Sequence, residues 1–210
     1  MVTFSKTELK DLSIAITVIT LLFAYIFNGR SFELGNLIIL IPISLFTVGL
    51  SFILHELGHK IVAQKYGFYA EFRKWNEGLI LAIISSFLGF VFLAPGAVYI
   101  ASPYGSITDK ENGVISVAGP LVNIVLAILF LFAGLSIKGM INVNNYDFMI
   151  YLLITCTIGC SVNSFLALFN LLPIPMLDGS KVMKWNIFIW LVTIVIAGVL
   201  TYTSYTTPLI

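Results

Sequence analysis

Charge is what this sequence has least of. Asp, Glu, Lys and Arg together make up 10% of its 210 residues, while hydrophobic residues make up 59%, and the mean hydropathy is +1.03. A soluble domain keeps about a quarter of its residues charged, so this composition excludes one and indicates a chain built for lipid. The formal net charge of +1, with no block of like charges, excludes the basic field that nucleic-acid binding needs. Cysteine is nearly absent. Cys156 and Cys160 stand four apart in an apolar run, which excludes a disulfide framework and a CxxC redox motif and suits small helix-packing residues. No repeat or low-complexity tract occurs. The first apolar run, Leu12 to Phe27, lacks a small-residue cleavage pattern and is expected to remain as a span. Histidine occurs only twice, at His55 and His59.

Crossing a bilayer takes roughly 17 to 25 apolar residues. Five segments meet or approach that length: 11–28, 36–66, 114–137, 148–172 and 186–206. A sixth, residues 79–94, is apolar but short, and Pro95 and Gly96 interrupt it. It is expected to be a short or re-entrant helix followed by a strand. Residues 66–77 and 138–147 read as polar connectors. The expectation is therefore an all-α polytopic membrane protein of five to six transmembrane helices with a membrane-associated β-hairpin, forming one domain over residues 1–210. Loop cations favour the cytoplasmic side. Lys60, Lys65, Arg73 and Lys74 cluster after the histidine segment, and Lys181 and Lys184 cluster after Asp178. Both places are expected to be cytoplasmic, which leaves no full crossing for residues 79–94.

Both histidines lie in "FILHELGHKIV", inside an apolar run. Ionisable residues at that depth cost several kcal/mol and are functional by default. His55 and His59, four apart on a helix, share a face, and Glu56 sits one step around it. This is HExxH, the zinc metalloprotease pattern: imidazoles bind the metal, and the glutamate takes a proton from a water whose pKa zinc lowers to about 7. A catalytic zinc usually has three protein ligands. Past residue 66 one carboxylate stands out, Asp178 in "FNLLPIPMLDGSKV". At 1.5 Å per helical residue, Asp178 and His59 both fall roughly 10 Å from a cytoplasmic helix end. Asp178 can also be read as a helix-start cap in an Asp-Gly turn. Pro173 and Pro175 break the helix that Asn170 ends, and irregular backbone at membrane depth is tolerated only where it lines protein or water. In "AGPLVN", Gly119 and Pro120 are expected to open a helix. Asn123 and Asn170 are candidates for oxyanion or substrate contacts, with structural hydrogen bonding as the alternative.

Taken together, "HELGH", "AGPLVN" and "NLLPIPMLDG" on successive apolar segments resemble the site-2 protease family of intramembrane zinc metalloproteases, peptidase family M50. The likeness covers roughly residues 50–185. It implies His55, His59 and Asp178 as ligands of one Zn2+ per chain, Glu56 as catalytic acid and base, and Asn123 and Asn170 at the family's motif asparagines. It also implies cleavage of transmembrane protein or peptide substrates in the lipid bilayer of the cell membrane, near the cytoplasmic face. No appended soluble domain is expected.

A helix hides its carbonyls in its own hydrogen bonds, so a substrate must be unwound before water can attack it. Gly96, Ala97, Val98, Tyr99 and Ile100, in the strand-like "GAVYIA", could offer an edge for strand addition, paired with residues 112–117 across a turn at Asp109 to Asn112. The alternative is that these are helix ends. Two other functions stay open at this point. A metal-ion transporter would call for inverted repeats, and none is visible; a non-catalytic membrane binding protein sits poorly with an intact Glu56.

Overall fold

The computed structural model describes residues 2–88, 91, 94–103, 105–141 and 146–206. Part of the 79–94 segment (residues 89, 90, 92 and 93) and part of the 138–147 connector (residues 142–145) lie outside the described residues. The chain divides into two compact units, residues 1–107 and 108–210.

In the first unit, α1 (Lys6–Phe27) starts at Ser5, whose hydroxyl accepts the Glu8 amide and so satisfies one orphan donor of the first turn. After a turn in which Gly29 and Arg30 take positive φ, one long helical rod returns: α2 (Leu34–Ser44), a π turn (Leu45–Gly49) and α3 (Leu50–Lys65). Pro42 lies inside α2 and donates no hydrogen bond. The π turn follows it, and its extra residue rotates all that comes after by roughly 100°. The face that α3 presents is thereby set independently of α2. The hydroxyls of Thr47 and Ser51 donate back to Ile43 and Thr47 carbonyls at 2.7 and 2.6 Å, satisfying themselves within the helix.

Then come β1 (Tyr69–Lys74), α4 (Asn76–Phe87) and β2 (Gly96–Ala101). The strands pair antiparallel as a two-stranded ribbon, with Phe72 opposite Val98 and Arg73 opposite Ala97. At 12 residues, α4 is about 18 Å long, well short of a hydrocarbon core of about 30 Å. It is the short apolar helix expected before a strand. The strand at Gly96–Ala101 is also where the sequence placed it, but its partner is not. Residues 112–117 belong to a helix, and β2 pairs instead with β1, inside what read as the polar connector 66–77. A charged strand such as "YAEFRK" carries no apolar alternation, because its polar groups are neutralised by specific partners rather than by water. Gly96 has φ +149°, and a Cβ there would stand 2.3 Å from the Arg73 carbonyl oxygen; only glycine allows the strands to close at that end.

In the second unit, Thr108 and Glu111 form a capping box that starts α5 (Asp109–Lys138). This is the local reason that residues 109–117 are helix and not turn and strand. It also puts Gly119 and Pro120 in mid-helix, eleven to twelve residues in, where the sequence reading had them opening one. The unit continues with α6 (Tyr146–Asn170), α7 (Asp178–Trp185) and α8 (Ile187–Thr206). Ile124, Ala167, Leu171 and Ala197 form a core where α5, α6 and α8 meet. Between α5 and α6, Asn123 Nδ2 donates to Asn163 Oδ1 at 2.9 Å, and Asn163 Nδ2 donates to Gly159 O at 2.8 Å.

Among the described residues, five helical stretches are long and apolar enough to cross a membrane: 6–27, 34–65, 109–138, 148–170 and 187–206. Their outward faces are apolar: Ile38 and Phe188 are about three-quarters exposed. On helices of this length and hydropathy, such a surface suits lipid. The protein is a polytopic, all-α membrane protein carrying one small ribbon.

Candidate active site

α3 carries two functional stripes, and each follows from the helical repeat. His55 and His59, one turn apart, form the first, and both are buried. Their Nε2 atoms stand 3.1 Å apart with the rings nearly perpendicular, 81° between planes. Two imidazole lone pairs do not approach that closely unless a proton or a cation lies between them. For zinc the fit is direct: with Zn–N bonds of about 2.05 Å and near-tetrahedral angles, two ligand nitrogens are separated by roughly 3.3 Å.

The second stripe is Phe52, Glu56 and Lys60 at successive four-residue steps, all buried, and the ribbon lies against it. Phe52 meets the Phe72 ring of β1 edge-on at 5.8 Å. Glu56 Oε2 accepts the Val98 amide of β2 at 3.1 Å. The candidate base is therefore held at the edge of the strand proposed from sequence to receive an extended peptide. Because Phe72 and Val98 are register partners whose amides both point out of the ribbon, the alternation of an antiparallel ladder makes Phe72–Val98 a non-hydrogen-bonded pair. Val98 and Ile100 then present their amides at the free edge of β2, while Ala97 and Tyr99 turn theirs toward β1.

Lys60 read as a loop cation, and here the structure corrects the sequence. It is 1% exposed, and its ammonium meets Glu8 Oε1 at 2.6 Å. Nearby on β1, the hydroxyls of Ser5 and Tyr69 donate to Glu71, which holds that carboxyl below its ordinary pKa.

In the second unit, Asp178 is the first residue of α7. The preceding Leu177 occupies the cap position and makes no side-chain cap bond, so Asp178 is not the N-cap. A helix N-terminus favours a carboxylate in its first turn, and Lys181 stands 3.6 Å from it. Gly179 explains the Asp-Gly pair: a Cβ there would lie 2.0 Å from Leu171 O and 2.6 Å from Leu172 O. Glycine is what lets α7 start against the frayed end of α6, where Trp190 Nε1 also donates to Leu171 O at 2.8 Å. Asn170 ends α6 as expected, and its amide donates to Leu166 O at 2.9 Å. Asn123 is fully buried and donates to Asn163, a partner the motif did not disclose.

A family profile for peptidase family M50 matches residues 43–159. A Methanocaldococcus jannaschii protein provisionally named a zinc metalloprotease is 43% identical over 204 residues, covering 96% of this chain and 97% of its own length. No solved structure matches the chain.

Replacing Gly179 by Ala should force α7 away from the carbonyls of Leu171 and Leu172 and carry Asp178 with it. With Asp178 as the third ligand that the motif resemblance implies, we expect the helical content to stay and the metal retained at limiting zinc to fall severalfold. Wild-type metal content in Gly179→Ala would show that the Asp178 position does not matter to the metal.

Proposed function

Because the chain belongs to peptidase family M50, we propose that it is an intramembrane zinc metalloprotease that hydrolyses peptide bonds in transmembrane segments of protein or peptide substrates. The observation that carries this is the paired His55 and His59 nitrogens on a buried helix, with Glu56 beside them at a strand edge. We assign the zinc to His55 and His59, with Asp178 as third ligand by its motif position, leaving an open position as catalytic sites require. Bound there, zinc supplies Lewis acidity and brings the pKa of water to about 7.

Glu56 takes the proton of the attacking water and delivers it to the leaving amine nitrogen, so the same carboxyl serves as base and then as acid. The free edge of β2, with the amides of Val98 and Ile100 directed outward, accepts the unwound substrate by strand addition. Gly96, Ala97 and Tyr99 complete that strand. The substrate's scissile carbonyl is thus brought to the residue that activates the water. Asn123 and Asn170 are assigned to substrate or oxyanion contacts through their motif positions. We assign residues 1–210 to a single protease domain, in the cell membrane, with its active site nearer the cytoplasmic face.

Three experiments test this. Glu56→Gln should retain zinc and lose hydrolysis by at least a hundredfold, whereas His59→Ala and Asp178→Asn should lose metal at limiting zinc. Full activity in Glu56→Gln, or full zinc in Asp178→Asn, would refute the assigned roles. Proline donates no backbone hydrogen bond, so Val98→Pro should abolish cleavage of a stable helical substrate while keeping zinc and sparing a helix-broken one. Ala97→Pro should instead loosen the pairing of β2 with β1. Wild-type cleavage of the helical substrate by Val98→Pro would remove strand addition from the mechanism. For orientation, cysteines at Lys65 and Lys184 should react with an impermeant thiol reagent from the cytoplasmic side alone. Reaction from opposite sides would overturn the topology.

A further inference from the structure

The ribbon is held by a carboxylate at each of its edges, Glu8 of α1 on β1 and Glu56 of α3 on β2, and the proteolytic reading accounts only for the second. At the outer edge, Phe72 N–H donates to Glu8 Oε1 at 3.0 Å. Glu8, in the first turn of α1, is fully buried and ion-paired with Lys60. Phe72 is the register partner of Val98, and Val98 N–H donates to Glu56. One cross-strand pair is therefore gripped from both sides by carboxylates. Glu56 itself supplies one of them. The other comes from α1 and is fixed by Lys60, which stands one helical turn from Glu56 on the same stripe of α3. The ammonium also lies 4.2 Å from the centre of the Phe4 ring, so the N-terminal segment closes over the pair.

We propose that Glu8, anchored by Lys60, is a positioning residue for proteolysis: by accepting the Phe72 amide it fixes the ribbon's register and lateral place, so that the substrate edge at Val98 stands at Glu56. This rests on the strand-addition reading above. A two-stranded ribbon has little stability of its own, and a one-residue slip would turn every side chain and amide to the wrong side. Without Glu8, the Gln64 amide still holds the Ala70 carbonyl two residues away, but the Phe72–Val98 pair itself is left with Glu56, which must be released to take a proton. The property that matters is then the acceptor offered to Phe72, and the charge of Glu8 serves to anchor it.

Two double variants separate acceptor from charge. Glu8→Gln with Lys60→Met removes both charges and keeps a carbonyl oxygen for Phe72. Glu8→Met with Lys60→Met is nearly the same in shape and has no acceptor. Replacing a buried ion pair by apolar groups is often neutral for stability, and Glu8→Leu with Lys60→Met serves as a second acceptor-free protein should the first not fold. In zinc-free protein, amide exchange across residues 69–74 and 96–101 should be at least tenfold faster in the acceptor-free variant and within about threefold of wild type in the Gln variant. With zinc, cleavage of a fluorogenic single-span reporter peptide should follow the same order: at least tenfold lower without the acceptor, and restored by Gln. Wild-type exchange in the acceptor-free protein overturns the proposal, as does equal loss in both variants, or fast exchange with undiminished cleavage. If wild type itself cleaves no reporter, proteolysis is the reading that fails, and the exchange comparison still decides whether Glu8 holds the ribbon.

Discussion

Every polar group that enters the hydrocarbon must bring its partner with it, and α3 is where that constraint bears hardest. Within six residues, His55–Lys60, this helix buries two imidazoles, a carboxylate and an ammonium. Left unpartnered, each would cost several kcal/mol. The histidines face each other, Glu56 takes a strand amide, and Lys60 takes Glu8. The positions of α1 and of the ribbon around α3 follow from these pairings. Their apolar contacts, such as Phe52 with Phe72, add about 1 kcal/mol each and refine a placement that the polar groups determine.

The ribbon is the least expected part of this arrangement and obeys the same rule. Strand edges in a membrane protein leave rows of amides and carbonyls with nothing to bond. Here side chains cap the outer edge of β1: Glu8 accepts from Phe72, and Gln64 donates to the Ala70 carbonyl at 3.2 Å. On β2, Glu56 caps Val98. Capping of β1 is structural, because those groups have no chemistry to perform. The cap on β2 is a carboxylate to which the proposed proteolysis gives a second task, and on that proposal the edge it covers is the one to be uncovered.

Much of this was legible in the sequence wherever a single helix's periodicity carried the signal. The spans, the shortness of the helix near residue 79, the strand at Gly96–Ala101 and the HExxH stripe all follow from local spacing. What was not legible depends on partners distant in sequence. Lys60 looks like any juxtamembrane cation until Glu8, fifty-two residues away, is placed beside it. β1 looks like a polar loop because the partners of its charged side chains, Ser5 for Glu71 and Asp11 for Arg73, and the Glu8 acceptor of its Phe72 amide all lie some sixty residues away. The misplaced strand at 112–117 had a local correction available, since Thr108 and Glu111 spell a capping box that outweighs the β-branched residues following it. Asn163 is the opposite case: nothing near it marks it as the partner of Asn123.

The buried Glu8–Lys60 pair also bears on why such costly groups are kept. Removing one partner of a buried pair costs about 3 to 5 kcal/mol, yet replacing both with apolar side chains is often neutral or favourable. Stability alone therefore does not account for a salt bridge at this place. An apolar pair would fill the volume but would leave the Phe72 amide without an acceptor, at a cost of about 1 to 3 kcal/mol. It would also give Phe72 no directed contact at that edge, since apolar contacts are nondirectional. A carboxylate that is itself held by an ammonium has a fixed place and a fixed lone-pair direction. The direction is what a strand needs if its other edge must meet Glu56 within hydrogen-bond distance, so the ion pair is better understood as a specification of geometry than as a source of stability.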